Sequence, residues 1–342
     1  MQSTERIDWI DALKGFTIML VVWGHLNTPY IPEAIIYSFH MPLFFVISGY
    51  LNKNRNNSLG KTVKSKGKAL LIPYLIFATL SVPVGVAMNY VSGEGISAST
   101  IVLNFLFLNG NVGWNSPIWF LVVLFLVEVA FWFYNRSNTK GLIFISVFVL
   151  GFLAALTAIR YPFGLQIVLW GLVFFIVGNW LKNKEIIKLL SLNTERYLLS
   201  TLAFVGVGLT FGVVLNGRIS LYHNEVFNYA FFMVSAIAGS IALILIFSKI
   251  GNSKILNFYG KNTLLILATH YFFLLGYQTV DKFIFDLTYL SEPSLLISGS
   301  LAIVTIIIYY PLSLFVNKYM PFLLGDFSTL RINKFKSNSV QS

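Results

Sequence analysis

Apolar residues along this chain gather into runs of about twenty, broken by short polar segments. A helix needs roughly 17 to 25 residues to cross a hydrocarbon core about 30 Å thick. Ten runs reach that length, at residues 9–26, 34–51, 69–90, 117–134, 141–158, 164–181, 197–215, 227–250, 262–280 and 294–316. An eleventh apolar stretch, 101–108, is too short to span and is expected as a re-entrant or interfacial piece within the long connection 92–116, where it could cap a site. No internal repeat or heptad run interrupts the series. The expected fold is therefore all-α and integral to a membrane: a bundle of about ten transmembrane helices forming one domain over residues 1–333, with a polar tail at 334–342.

Composition agrees with this pattern. The 342 residues are 56% hydrophobic and only 11% charged, against about 25% charged in soluble domains, which leaves too little polar surface to face water on every side. The net charge of +11 would suggest nucleic acid in a soluble protein, but here it reports topology. Of the 24 lysines and arginines, all but Arg160, Arg218 and Lys282 fall on the side of the N-terminus when alternate loops are assigned to alternate faces. By the positive-inside rule both termini are cytoplasmic, in the inner (cytoplasmic) membrane. The first apolar run lacks a small-residue cleavage site and is expected to stay in the mature protein. With no cysteine in the chain, disulfides, thiolate metal sites and a cysteine nucleophile are excluded.

Titratable residues inside spans cost about 2.5 to 3.5 kcal/mol each on insertion scales, so each needs an explanation. Lys14 and His25 stand eleven residues apart on the first run, which is close to three full turns. They share a face, separated by about 16 Å along the axis. Asp11, three residues before Lys14, is placed to pair with it. A polar stripe from Asp11 through Lys14 to His25 is thus expected across most of the bilayer. The plainer alternative is that Lys14 snorkels to the cytoplasmic interface while His25 sits at the outer one. A second histidine, His40, lies on the next run just before Pro42, which lacks a backbone donor and is expected to open the helix there. Ser48 and Gly49 further along permit close helix approach. The histidines are scattered and no paired-ligand motif accompanies them, so no metal is expected.

The segments Arg6-Ile7-Asp8-Trp9-Ile10-Asp11-Ala12-Leu13-Lys14-Gly15, the histidine ending that run, and Phe44-Phe45-Val46-Ile47-Ser48-Gly49 occur in order. So do Ile72-Pro73-Tyr74 after a basic segment, Pro117-Ile118-Trp119-Phe120-Leu121, and Gly260-Lys261-Asn262-Thr263-Leu264 followed by His270. Over nearly its whole length the chain resembles acyltransferase family 3, and within it most resembles the fucose 4-O-acetylase-like branch. The family consists of membrane enzymes that acylate bacterial surface glycans such as lipopolysaccharide, capsule and exopolysaccharide. The resemblance implies that His25 is the catalytic histidine and that Lys14 occupies a position where relatives usually carry arginine. Lysine keeps the charge but loses the planar bidentate fork. It further implies that the basic loop, Lys61, Lys64, Lys66 and Lys68, with Tyr74 after it, engages acyl-CoA, lysines holding phosphate as point charges. The plainer reading of that loop is topology alone. Where many relatives carry a glutamate after the tryptophan of the fourth span, Leu124 stands here; Glu128 comes later and receives no role.

The expected chemistry is O-acetylation. Acetyl-CoA rests its phosphates on the cytoplasmic lysines and runs its pantetheine arm past Lys14 to His25, while a lipid-linked or nascent glycan approaches from outside over Trp114 and Trp119. His25 takes the proton of the sugar hydroxyl, its ordinary pKa of about 6.5 suiting a base at neutral pH. Direct transfer and a transient acyl-histidine both fit. His40 orients His25, donates to the oxyanion, or lines the path; His270 is either a pathway residue or a satisfied packing histidine. His223 falls in an outer loop and receives no role. A transporter or glycan flippase is the rival class, but its repeated halves and broken helices have no counterpart here, the unusual residues being concentrated in the first two runs and the following loop.

Overall fold

The computed structural model describes residues 7–53, 57–93, 95, 97–157, 159–283 and 292–327. Arg6, Arg55 and the tail 334–342 lie outside the described residues. Within them the chain forms fourteen α-helices, and no β-strand longer than one isolated bridge: α1 Asp8–Gly24, α2 Tyr30–Leu51, α3 Leu59–Lys66, α4 Ile72–Ser92, α5 Ala98–Phe105, α6 Trp119–Arg136, α7 Lys140–Ala155, α8 Leu165–Asn183, α9 Ile186–Ser191, α10 Thr194–Leu209, α11 Tyr229–Ile250, α12 Lys254–Lys261, α13 Thr263–Phe283 and α14 Leu295–Tyr319. Eight helical segments are long and apolar enough to cross a membrane. Each of the ten apolar runs falls on a helix, and the two outside the eight are α1, with 17 residues, and α7, with 16. The chain is a multi-pass membrane protein.

Its surface fits a lipid solvent. Leu142 and Ile145 on α7, Leu198 and Leu202 on α10, and Ile303 and Ile307 on α14 are exposed at helical spacing, an arrangement that water would oppose. The inner helices behave differently. α1, α2 and α8 bury most of their residues, and Trp170, Phe174 and Phe175 of α8 are fully enclosed.

Lipid tails are as apolar as leucine, so helices in a membrane gain by close backbone approach, which small residues allow. Two crossings show this. A Cβ on Gly49 of α2 would fall 2.0 Å from the Phe175 carbonyl oxygen of α8, and one on Gly178 of α8 would fall 1.9 Å from that of Val46. Likewise a Cβ on Gly15 of α1 would meet the Leu256 oxygen at 2.0 Å, and one on Gly260 of α12 the Asp11 oxygen at 1.8 Å. These reciprocal contacts lock the two helices carrying His25 and His40 into the bundle.

Two local features depart from the sequence reading. The basic segment expected as a loop is helical: Ser58 caps α3 by accepting the Lys61 amide at 3.3 Å. A π-turn at Gly67–Leu71 then joins α3 to α4. It sits where Pro73, lacking an N–H, cannot complete the α ladder. α2, by contrast, runs unbroken through Pro42. The connection after α4 holds the two-turn α5, too short to span, overlapping the short apolar stretch expected there.

The glycine crossings yield a stability prediction. Gly178→Ala should lower the unfolding midpoint of the detergent-solubilised protein, with an overpacking cost of about 1–3 kcal/mol. Gly206→Ala on α10, where a Cβ meets nothing within 4 Å, should not. Equal midpoints for the two variants would remove the crossing from the account.

Candidate functional site

Three histidines from three helices converge at one end of α1. His25, the residue capping α1, places Nδ1 2.8 Å from the Val21 carbonyl; His40 on α2 does the same with Ile36 at 2.8 Å, and His270 on α13 with Ile266 at 2.9 Å and Leu267 at 3.0 Å. A carbonyl oxygen only accepts, so Nδ1 donates in each case and the neutral ring keeps its lone pair on Nε2. The His25 and His270 rings meet edge to face with centroids 5.0 Å apart, and Tyr37 and Tyr271 stand 6.1 and 6.3 Å from His25. His40 packs on Tyr37 at 4.9 Å. His270 is buried, and its Nε2 has no hydrogen-bond partner among the described residues.

His25 and His40 line a cavity of about 280 Å³ together with Trp119, Tyr37, Tyr271 and Tyr222. Trp119 stacks on Tyr222, with centroids 6.4 Å apart and planes 19° apart. At its mouth Arg218 Nε donates to Glu33 Oε1 at 2.8 Å, with the guanidinium 4.9 Å from the centre of the Tyr37 ring. Tyr222 and His223 come from a tight turn closed by the Ser220–Glu225 bridge and held down by Asn224, whose amide donates to the Ala154 and Ile159 carbonyls. Arg160 lies over the Tyr222 ring at 4.9 Å and donates to His223 Nδ1. Burial, reinforced by the Arg160 charge, holds the His223 imidazole below its ordinary pKa, so it is neutral at pH 7 and free to accept that bond. Sequence reasoning missed Glu33, Tyr37, Arg218, Tyr222 and Tyr271 and set His223 aside. The signal was present, since Arg160 and Arg218 are two of the three basic residues on the sparse side of the charge tally.

The other end of α1 carries the expected ion pair, Lys14 Nζ to Asp11 Oδ1 at 2.9 Å, part-buried. Asp11 lines a second cavity, of about 510 Å³, with Asn52, Lys53, Lys66 and Glu128. Lys14 lines a third, of about 250 Å³, walled by Ile18, Phe44, Phe120, Leu121 and Leu264. The second and third share Ser48, Leu51, Leu70 and Leu124; the third shares Leu267 with the histidine cavity. The polar stripe is thus polar at its two ends and apolar between, because the same face of α1 carries Ile18 and Val21 between Lys14 and His25.

The remaining predicted residues separate. On α3 and the turn after it, Lys61, Lys64 and Lys68 follow i, i+3, i+7 spacing and are exposed. Lys66 points the other way and pairs with Glu128 of α6, whose second oxygen accepts from Asn52 Nδ2 at 3.1 Å. Tyr74 spends its hydroxyl on the Phe105 carbonyl at 2.8 Å. Trp114 packs on Gly85 and donates to Asn89 Oδ1 at 3.1 Å. Neither Tyr74 nor Trp114 lines any of the three cavities.

A family model described as an acyltransferase domain, that of acyltransferase family 3, matches residues 7–315. The nodulation protein NolL of Sinorhizobium fredii is 41% identical over 85 residues, covering 20% of this chain and 23% of that protein. NolL of Mesorhizobium japonicum is 38% identical over 85 residues, covering 20% of this chain and 22% of its own. The matched part thus spans under a quarter of either relative. No solved structure matches the chain.

Glu128 is 3% exposed, so removing its cation leaves a buried carboxylate with the Asn52 amide but no counter-charge. Lys66→Met should destabilise the protein by about 3 kcal/mol, read as a lowered unfolding midpoint. Adding Glu128→Gln should recover much of the loss, whereas a fully additive double variant would mean the two side chains do not interact.

Proposed function

The chain belongs to acyltransferase family 3, and from that premise we propose that it transfers an acetyl group from cytoplasmic acetyl-CoA to a hydroxyl of a bacterial surface glycan, with His25 as the general base. The observation that carries this reading is the His25 ring. Its proton is fixed on Nδ1 by the Val21 carbonyl, so Nε2 meets an incoming hydroxyl as an acceptor within a cavity able to hold part of a sugar.

The glycan enters the histidine cavity and packs on Trp119, the stacked Tyr222 ring extending that aromatic surface. The hydroxyl donates to His25 Nε2, and its oxygen attacks the thioester carbonyl. The C–S bond then breaks, and the thiolate recovers the proton from the imidazolium. Neutral His40 presents a lone pair rather than a proton at Nε2, so it orients or lines; donors for the oxyanion come from Arg218 and the Tyr271 hydroxyl, both on the cavity wall. The same Nε2 can attack the thioester first, giving an acyl-histidine, and the geometry accommodates either route.

The donor reaches His25 from the opposite face. The series of cavities from Asp11 to Lys14 to His25 supports this path. The CoA phosphates meet the cations around the Asp11 cavity, Lys53 and Lys66, with Lys61, Lys64 and Lys68 on the exposed face of α3 forming an approach surface. The apolar cavity beside Lys14 takes the pantetheine and acyl end. Ten spans with both termini in the cytoplasm of an inner-membrane protein, and a single domain over 1–333 ahead of a polar tail, complete the reading; the lopsided distribution of basic residues supports it.

His25→Ala should abolish transfer of labelled acetyl from acetyl-CoA to surface glycan while leaving expression and the unfolding midpoint in place. Retained transfer would refute the assignment of the base. Uptake or flipping of glycan by the wild-type protein with no CoA release would favour a transporter instead.

A further inference from the structure

The apolar cavity and the histidine cavity lie next to each other along α1, α2 and α6 and share one lining side chain among the described residues. Ile18 and Val21 of α1, Phe44 and Met41 of α2, and Phe120 and Trp119 of α6 come in pairs, the first of each lining the apolar cavity and the second the histidine cavity. Leu267 of α13 lines both. It is 6% exposed, most of its surface packed against protein. Its carbonyl accepts from His270 Nδ1 at 3.0 Å, and the His270 ring lies against His25.

A membrane enzyme that draws a thioester from one face and a hydroxyl from the other needs a barrier between them. Water reaching the thioester carbonyl would add to it. The C–S bond would break, acetate would leave with the water oxygen, and the thiolate would take up a proton. A continuous water column would also carry protons across the bilayer. An apolar layer prevents both, provided that one member can move. Ile18 and Val21 are β-branched and stiff at χ1. Phe44 and Phe120 pack on each other at 5.8 Å. Leucine is unbranched at Cβ and has more χ1 freedom than Ile18 or Val21, and the cavities on either side of Leu267 leave it room to change rotamer.

We propose that Leu267 is the movable partition between the donor and acceptor cavities: closed in the resting protein, and displaced when the acyl thioester fills the apolar cavity. This rests on the reading that the donor approaches His25 along α1.

The test uses the full chain in proteoliposomes enclosing a pH-sensitive dye, together with release of CoA from acetyl-CoA in the absence of any acceptor. Leu267→Ala should accelerate pH equilibration without acetyl-CoA, and should raise acceptor-free CoA release severalfold. Leu267→Trp should seal the layer, lowering glycan acetylation in whole cells by at least about tenfold, a loss in keeping with misplacing a reacting group, while acetyl-CoA still raises the unfolding midpoint. Leu267→Met, equally apolar and flexible, should behave as wild type. Wild-type proton permeability in Leu267→Ala, or undiminished acetylation in Leu267→Trp, would overturn the partition. Failure of the donor reading is distinguishable: the proton leak of Leu267→Ala would persist while acetyl-CoA neither stabilised the protein nor released CoA.

Discussion

Polar side chains within these spans are largely satisfied by their own helix. Lys14 pairs with Asp11 one turn earlier, Thr17 donates to the Leu13 carbonyl, and His25 to that of Val21. The same device recurs at Ser81, Thr269 and Thr305, and at His40 and His270. In hydrocarbon an unpaired polar group costs several kcal/mol, and a partner on a neighbouring helix would have to be placed with the accuracy of the whole bundle. A carbonyl four residues back is already in place when the helix forms. For a hydroxyl this is only a way to hide. For an imidazole it also fixes the tautomer, because the ring nitrogen facing the carbonyl must carry the proton and the other must face outward with its lone pair. The convergence of His25, His40 and His270 therefore needs no network between them to define their protonation. It needs only that α1, α2 and α13 be brought together.

That task falls to glycine. The crossing of α1 with α12 and of α2 with α8 brings backbone against side-chain-free Cα atoms on both partners, so the helices bearing His25 and His40 are seated by contacts that tolerate almost no displacement. The remaining walls come from elements that are less tightly constrained. α3 reaches the Asp11 cavity through Ser65 and Lys66, and the histidine cavity is lined in part by a turn held by the side-chain amide of Asn224. The crossings thus seat the helices that carry His25 and His40, together with Asp11, Lys14 and Glu33, while Lys66 and Arg218 come from α3 and from the connection between α10 and α11.

How much of this was legible in the sequence follows the same division. Helix positions could be read because the apolar runs are long and because lipid removes every alternative to a closed backbone hydrogen-bond pattern. The Asp11–Lys14 pair and the common face with His25 follow from helical spacing alone, and the same spacing puts Ile18 and Val21 on that face between Lys14 and His25. α3 read as a loop because it is short and rich in lysine and glycine. Its cap at Ser58 and the i, i+3, i+7 placement of three lysines were nonetheless visible. Lys66 meeting Glu128, Arg218 meeting Glu33, and Tyr222 stacking on Trp119 are contacts between residues far apart in sequence, and no local pattern encodes them. The nearest signal was negative: basic residues standing where the charge tally expects none.

The occupant of position 14 bears on how such a path handles a donor. An arginine there would offer a planar fork to Asp11 and could bind it through two parallel bonds, immobilising both groups. Lys14 makes one bond to Asp11 and keeps the rest of its ammonium at the wall of an otherwise apolar cavity. A point charge at that depth favours a polar segment of a passing ligand without fixing its orientation, and the apolar walls beyond it favour whatever follows. On the proposed reading, the environments along α1, from cations to a single ammonium to hydrocarbon to imidazole, would meet in order the phosphates, the pantetheine amides and the thioester of an acyl-CoA.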